Sequence, residues 1–200
     1  SLAAQRRTGA VGLLLYAPLV TLAAFDWVMA AAGTWYSTMF GIYFFTGAVV
    51  GALGFWLLVV SLLERGGQWG GMVGAEKRHD LSKYLFALSM FWAHVAFFQF
   101  LLVWYANLPE ETGFYAVRFS GGWLPVTVFL AAGHAGGPLA LFMSRHAKRH
   151  LGLGIFFGAW MLFMHAVDAW WMVAPSVFPA FSPSPLELLA YGGFACLVFG

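Results

Sequence analysis

Only 9% of the 200 residues are charged while 62% are hydrophobic, and a domain bathed in water carries about 25% charged residues, so most of this surface was not built for water. A mean hydropathy of +0.79, with ten Trp, seven Tyr and 24 Gly, suits a chain in lipid, with aromatic belts at the headgroups and glycines at close helix contacts. The formal net charge is +2, and the single cysteine, Cys196, excludes a disulfide framework within the chain and any cysteine-ligated cluster.

In chain order, Gln5-Arg6-Arg7 leads into an apolar run too long for the core of a signal peptide. Crossing a bilayer takes about 20 mostly apolar residues. That measure predicts spans at 10–33, 35–63, 81–106, 122–144 and 151–174, and a sixth, cut short, from 186 to the end. The runs lack the polar/apolar alternation of a barrel. The expected fold is therefore all-α, a polytopic transmembrane bundle of about six spans forming one domain over 1–200. Connecting them are a Gly-rich charged loop (64–80), an acidic knot (107–121), a basic turn (145–150) and "APSVFPAFSPSP" (174–185), the last too rich in proline to be helical. The chain opens without methionine and stops at "CLVFG" inside an apolar run, which predicts a piece of a longer polypeptide.

Lysine and arginine set an orientation. Arg6, Arg7, Arg65, Lys77, Arg78, Lys83, Arg145, Lys148 and Arg149 fall on one side, and Arg118 alone on the other. The positive-inside rule puts the basic loops in the cytoplasm and the "NLPEET" and Pro-rich loops outside. The turn "SRHAKRH" reads as an anchor touching anionic lipid, not as a nucleic-acid patch. Its His146 and His150 have no third ligand nearby, so no metal site is expected. At the outer end of the third run, Asn107 and Pro109 suit a turn directly after a helix. Glu110 and Glu111 follow, either as solvated carboxylates, as acceptors for a helix start, or facing a partner protein.

Ionisable residues at bilayer depth are costly and by default mark function. Asp26 falls in the outer half of the first span, His94 and His134 near the middle of the third and fourth, and His165 and Asp168 in the outer half of the fifth. The last two, at i and i+3, share a helix face. Together the five read as a file from midplane to the external side, able to relay protons or to take the protons of a quinol. A lone intramembrane His also serves simply to hydrogen-bond a neighbouring helix, and Asp26 could only cap or anchor. The Trp170-Trp171 pair reads as belt and packing.

"FWAHVAFFQFLLVWYANLPEET" closely resembles the corresponding run in NrfD-like (polysulfide-reductase-like) membrane subunits of bacterial alternative complex III, a quinol:cytochrome c oxidoreductase. "FDWVMAAAGTWYSTMFGIYFFTG" and "HAVDAWWMVAP" agree with it. The likeness is greatest to the second of the two NrfD-like subunits and covers essentially the whole chain, as the C-terminal portion of a roughly ten-helix subunit. Two features depart: His94 stands where Tyr is commoner, and "GHAGGPLALF" is smaller and richer in Gly.

The resemblance implies a place in the bacterial cytoplasmic membrane. The implied partners are a homologous NrfD-like subunit, a periplasmic iron–sulfur protein, and multihaem and monohaem cytochrome c subunits. Haem c and iron–sulfur clusters would sit in those partners, with none bound by this chain, and menaquinol or ubiquinol would be the reductant. Quinol oxidation is usually assigned to the other NrfD-like subunit, leaving this one to scaffold the complex; proton conduction through Asp26, His94, His134, His165 and Asp168 is implied by their depth in the spans, not by the resemblance. Two alternatives stay open. One is a quinol site of its own at the His165/Asp168 face. The other is a proton-coupled transporter or plain membrane anchor, in which "GHAGGP" would be the broken helix.

Overall fold

The computed structural model describes residues 2–67, 74–182, 185 and 189. Among these there is no strand. Helix α1 (Leu2–Ala23) runs on through a π turn (Ala24–Val28) and a 3-10 turn (Met29–Ala32); α2 is Phe40–Arg65, α3 Ala75–Ala106 and α4 Pro109–Phe119. Helix α5 (Leu124–Leu130) continues through a π-helical segment (Ala131–Gly136) into α6 (Gly137–Phe142), then α7 (Arg145–Arg149) and α8 (Leu151–Val177). Among the described residues, five stretches are long and apolar enough to cross a membrane: Leu2–Ala32, Phe40–Arg65, Ala75–Ala106, Leu124–Phe142 and Leu151–Val177. The chain is an all-α, multi-pass membrane protein. The sixth span expected from residue 186 lies outside the described residues.

Three connections differ from expectation. The acidic stretch 107–121 is mostly a helix. Asn107 ends α3 in left-handed geometry (φ 50°), as its tolerance of that region suggests. Leu108 is then extended ahead of Pro109, which opens α4 at its first position, where a missing N–H costs nothing. Glu110 and Glu111 fill the first turn, complementing the helix dipole. The basic turn is likewise the short helix α7, capped by Ser144. Finally, α8 continues to Val177 with Pro175 inside it. In the last turn a proline forfeits only one intrahelical bond, the acceptor being the Trp171 carbonyl, so the helix stops after it rather than before.

Helices α2 and α8 are the central close pair. Their contact is made by Gly54 and Gly158: a Cβ at 158 would fall 2.5 Å from the Leu58 nitrogen, and one at 54 would fall 3.3 Å from the Gly158 carbonyl oxygen. Helix α3 lies against α2 along a stripe of buried residues, Arg78, Ser82, Leu85, Ser89, Trp92, Gln99 and Val103. The interior has two apolar clusters. One, toward the α4 end, gathers Trp35, Phe40, Tyr43, Trp92, Phe114 and Trp171. The other, toward the basic end, gathers Val50, Leu57, Leu85, Phe142, Phe157 and Met161. The basic end is clamped by Arg78, which ion-pairs with Glu64 and donates from Nη2 to the Arg149 carbonyl at 2.6 Å.

Candidate functional site

Asp168 lies on the face of α8 that meets α2, with no solvent exposure. The fit depends on Gly47, one turn beyond Tyr43 on α2, since a Cβ there would stand 3.1 Å from Asp168 Oδ2. The carboxyl is held by two donors. The Tyr43 hydroxyl donates to Oδ1, and the Trp92 indole Nε1 donates to Oδ2 at 3.1 Å. Among the described residues no cation pairs with it. A carboxyl in that setting is costly as an anion, so the arrangement is suited to taking up a proton through Tyr43, whose hydroxyl donates to it.

One turn toward the basic end, His165 packs against Gly51, whose Cβ would meet the imidazole Cγ at 2.7 Å. Its Nδ1 is buried without a hydrogen-bond partner. His134 sits in the π-helical segment that widens the α5–α6 span. It is fully buried, its ring stacks on Trp92 (centroids 3.9 Å apart, planes 10° apart), and neither ring nitrogen has a partner among the described residues. His134, His165 and Asp168 therefore converge on one interior region. The hydrogen bonds of Asp168 run to Tyr43 and Trp92, while no bond joins it to His165.

Asp26 and His94 do not join them. Asp26 is exposed on the π turn after α1, and His94 is exposed on the outer face of α3, against Phe98. The five-residue file inferred from depth is thus three residues plus two that face away from it. The acidic loop residues Asn107 and Glu110 are exposed, and Glu111 is half-buried, its carbonyl accepting a bond from the Trp35 indole at 3.1 Å. The "GHAGGP" stretch is not a break: the helix stays continuous, bulged at Ala131–Gly136 ahead of Pro138.

Beside the Asp168 site lies a cavity of about 430 Å³ between α2, α3, α4, α5 and α8. Tyr43 and Trp92, the two ligands of Asp168, form part of its wall, with Gln99, Tyr115, Thr127 and Trp171. Nearly all of the remaining lining is aliphatic or aromatic. Phe97 and Val128 line it too and are themselves more than half exposed, so the cavity reaches the apolar flank of the bundle between α3 and α5. Gln99, 7% exposed, is among its few polar lining residues.

Helix α4 roofs the cavity with Phe114, Tyr115 and Phe119. It is pinned by Arg118, which is 1% exposed. The guanidinium donates to the carbonyls of Phe114 (2.7 Å) and Met172 (2.6 Å) and lies 3.3 Å above the Phe114 ring and 4.9 Å from that of Trp171. Burial lowers its pKa from 12.5 to about 9, still charged at neutral pH. Tyr43, Trp92 and Arg118 carry the site's geometry, yet the sequence reading passed over the first two and used Arg118 only for orientation. The available signals were the small-residue ladder Gly47, Gly51 and Gly54, one turn past Tyr43, and the heptad-like stripe on α3 that includes Trp92 and excludes His94. No protein-family model matches the chain, and no curated protein matches it either.

Proposed function

We propose that this chain is an NrfD-like membrane subunit of a quinol:cytochrome c oxidoreductase of the alternative complex III type, and that it binds a quinol head group beside Asp168. The motif resemblance supports the assembly. One observation carries the site: an apolar, laterally open cavity whose wall contains both hydrogen-bond donors to a fully buried carboxyl. Aromatic walls suit a planar ring and its hydrocarbon tail. Gln99 offers an amide to one ring oxygen, and the Tyr43–Asp168 pair receives a hydroxyl proton, with Asp168 as the general base acting through Tyr43. Electrons would leave to an iron–sulfur protein at the α4 end, which the lysine and arginine distribution makes the periplasmic side. The exposed Glu110 on α4 would face those partners.

A second reading, a subunit that scaffolds the complex and conducts protons without binding quinol, draws support from the unpartnered nitrogens of His134 and His165. Steady-state kinetics of the purified complex separate the two. With Gln99→Leu, the quinol reading expects KM to rise roughly tenfold, the effect of about 1.4 kcal/mol, with assembly intact. An unchanged KM and kcat in both Gln99→Leu and Tyr43→Phe complexes would remove the quinol from this subunit.

A further inference from the structure

Among the described residues, two groups of buried polar side chains stand apart along the bundle. At the basic end Ser61 Oγ, Ser82 Oγ and Arg78 Nε are buried without hydrogen-bond partners among the described residues, beside the Arg78–Glu64 ion pair. Gly154 leaves them room, since a Cβ there would stand 2.8 Å from Ser61 Oγ. Unpaired donors packed this way are the usual lodging of ordered water. The other group is the Asp168 region, with Tyr43, His134 and His165.

Between them the interior is largely apolar, the buried Ser89 spending its hydroxyl on the Leu85 carbonyl of its own helix at 2.7 Å. Val50, Leu57, Leu85, Phe157 and Met161, each at most 1% exposed, pack with Phe142 across the centre of α2, α3 and α8. Ser61 and Gly51, which faces His165, are ten residues apart on α2, about 15 Å of helix rise. No proton crosses that distance through close-packed hydrocarbon without a file of water or polar groups.

Toward α4 the polar groups continue. Phe114 shares the first cavity's wall with Tyr43, and Arg118, stacked on Phe114, lines a second cavity, of about 300 Å³, with Thr34, Ser176 and the exposed Glu110. Its buried Nε has no partner.

We propose that proton exchange at Asp168 is one-sided: it runs toward the α4 end past Tyr43 and Arg118, and is closed toward the basic end by the apolar layer of Leu57, Leu85, Phe157 and Met161. This rests on the reading of Asp168 as a proton-exchanging group. Protons taken up there leave on the α4 side, and the layer keeps the subunit from short-circuiting the membrane.

The test uses the intact complex, uniformly oriented in sealed vesicles, with an imposed pH gradient and no quinol. Native and Asp168→Asn complexes hold the gradient equally. Met161→Gln, close to isosteric, and the double variant Leu57→Asn/Leu85→Asn speed its collapse by roughly tenfold or more, as about 1.4 kcal/mol off a barrier does. Adding Asp168→Asn to either returns the native rate. A native complex that leaks through Asp168, or assembled layer variants that stay tight or leak regardless of residue 168, overturns the proposal.

Should the layer variants fail to assemble, infrared spectroscopy of the native complex decides. The carboxyl band abolished by Asp168→Asn follows a pH step applied on the α4 side and ignores one on the basic side; an equal response to both sides overturns the closure. No such band and no dependence on residue 168 would sink the reading of Asp168 itself. None of these readouts involves quinol, so failure of the quinol site leaves the one-sided route standing.

Discussion

Replacing Gly158 by alanine tests the packing that positions the site. An ideal Cβ at 158 falls 2.5 Å from the Leu58 nitrogen and 2.8 Å from its Cα and Cβ, whereas ordinary contact begins at 3.4 Å. The obstacle is mostly backbone, which no rotamer change can move, so α2 and α8 must part by about 1 Å at this level, loosening contacts along both helices. Overpacking of that kind costs about 1–3 kcal/mol, against which removing a helical glycine returns up to about 1 kcal/mol.

Gly113→Ala is the matched control. It is also helical, and its added methyl meets nothing within 4 Å. The gap between the two variants isolates the overpacking term, worth roughly 2–12 °C in Tm for a chain of this size. The assay is thermal unfolding of the purified protein in detergent, followed by circular dichroism. Because the same two helices bring Gly47 to Asp168, turnover of the complex should fall with Gly158→Ala and not with Gly113→Ala. Equal Tm values for the two variants would refute the claim that α2 and α8 touch through these glycines.

Arg118→Met removes the donor to the Met172 carbonyl and should destabilise by about 2–3 kcal/mol, the worth of charge-assisted hydrogen bonds. Arg118→Lys should recover little of it, because an ammonium cannot reproduce the planar fork stacked on Phe114; chemical denaturation in mixed micelles measures both. His94→Ala and Asp26→Asn, both at exposed positions, should each stay within about 0.5 kcal/mol of native stability. His134→Ala, which empties a filled site against Trp92, should cost about 2–4 kcal/mol in the same assay.

The five complete spans were legible because length and apolarity suffice to mark a membrane helix. The end of α3 was legible because Asn107 sits where left-handed geometry is needed. Which face of each helix turns inward was not. Lipid-facing and buried positions are both apolar in a membrane bundle, so depth in a span places a residue along the axis and says nothing of its azimuth. That is why His94 and Asp26 were grouped with Asp168 although they face outward. The information was present in weaker form: Ser82, Ser89, Trp92 and Gln99 on α3 recur at spacings of seven, three and seven, a single stripe that omits position 94. Pro109 suits a turn after a helix, but at a first helical position the same residue starts one, and here it opens α4. Pairing Asp168 with His165 followed from their i, i+3 spacing, but the shape of α2, with Tyr43 one turn before Gly47, gave the carboxyl nearer donors.

The most direct test of the central claim is quinol:cytochrome c reductase activity, with proton release, of the purified complex carrying Asp168→Asn. An amide keeps an acceptor for one of the two donors and cannot take up a proton. Electron transfer should therefore fall by about 100-fold or more, the usual contribution of a general base, while the complex remains assembled. Native turnover and native proton yield in an assembled Asp168→Asn complex would contradict the account.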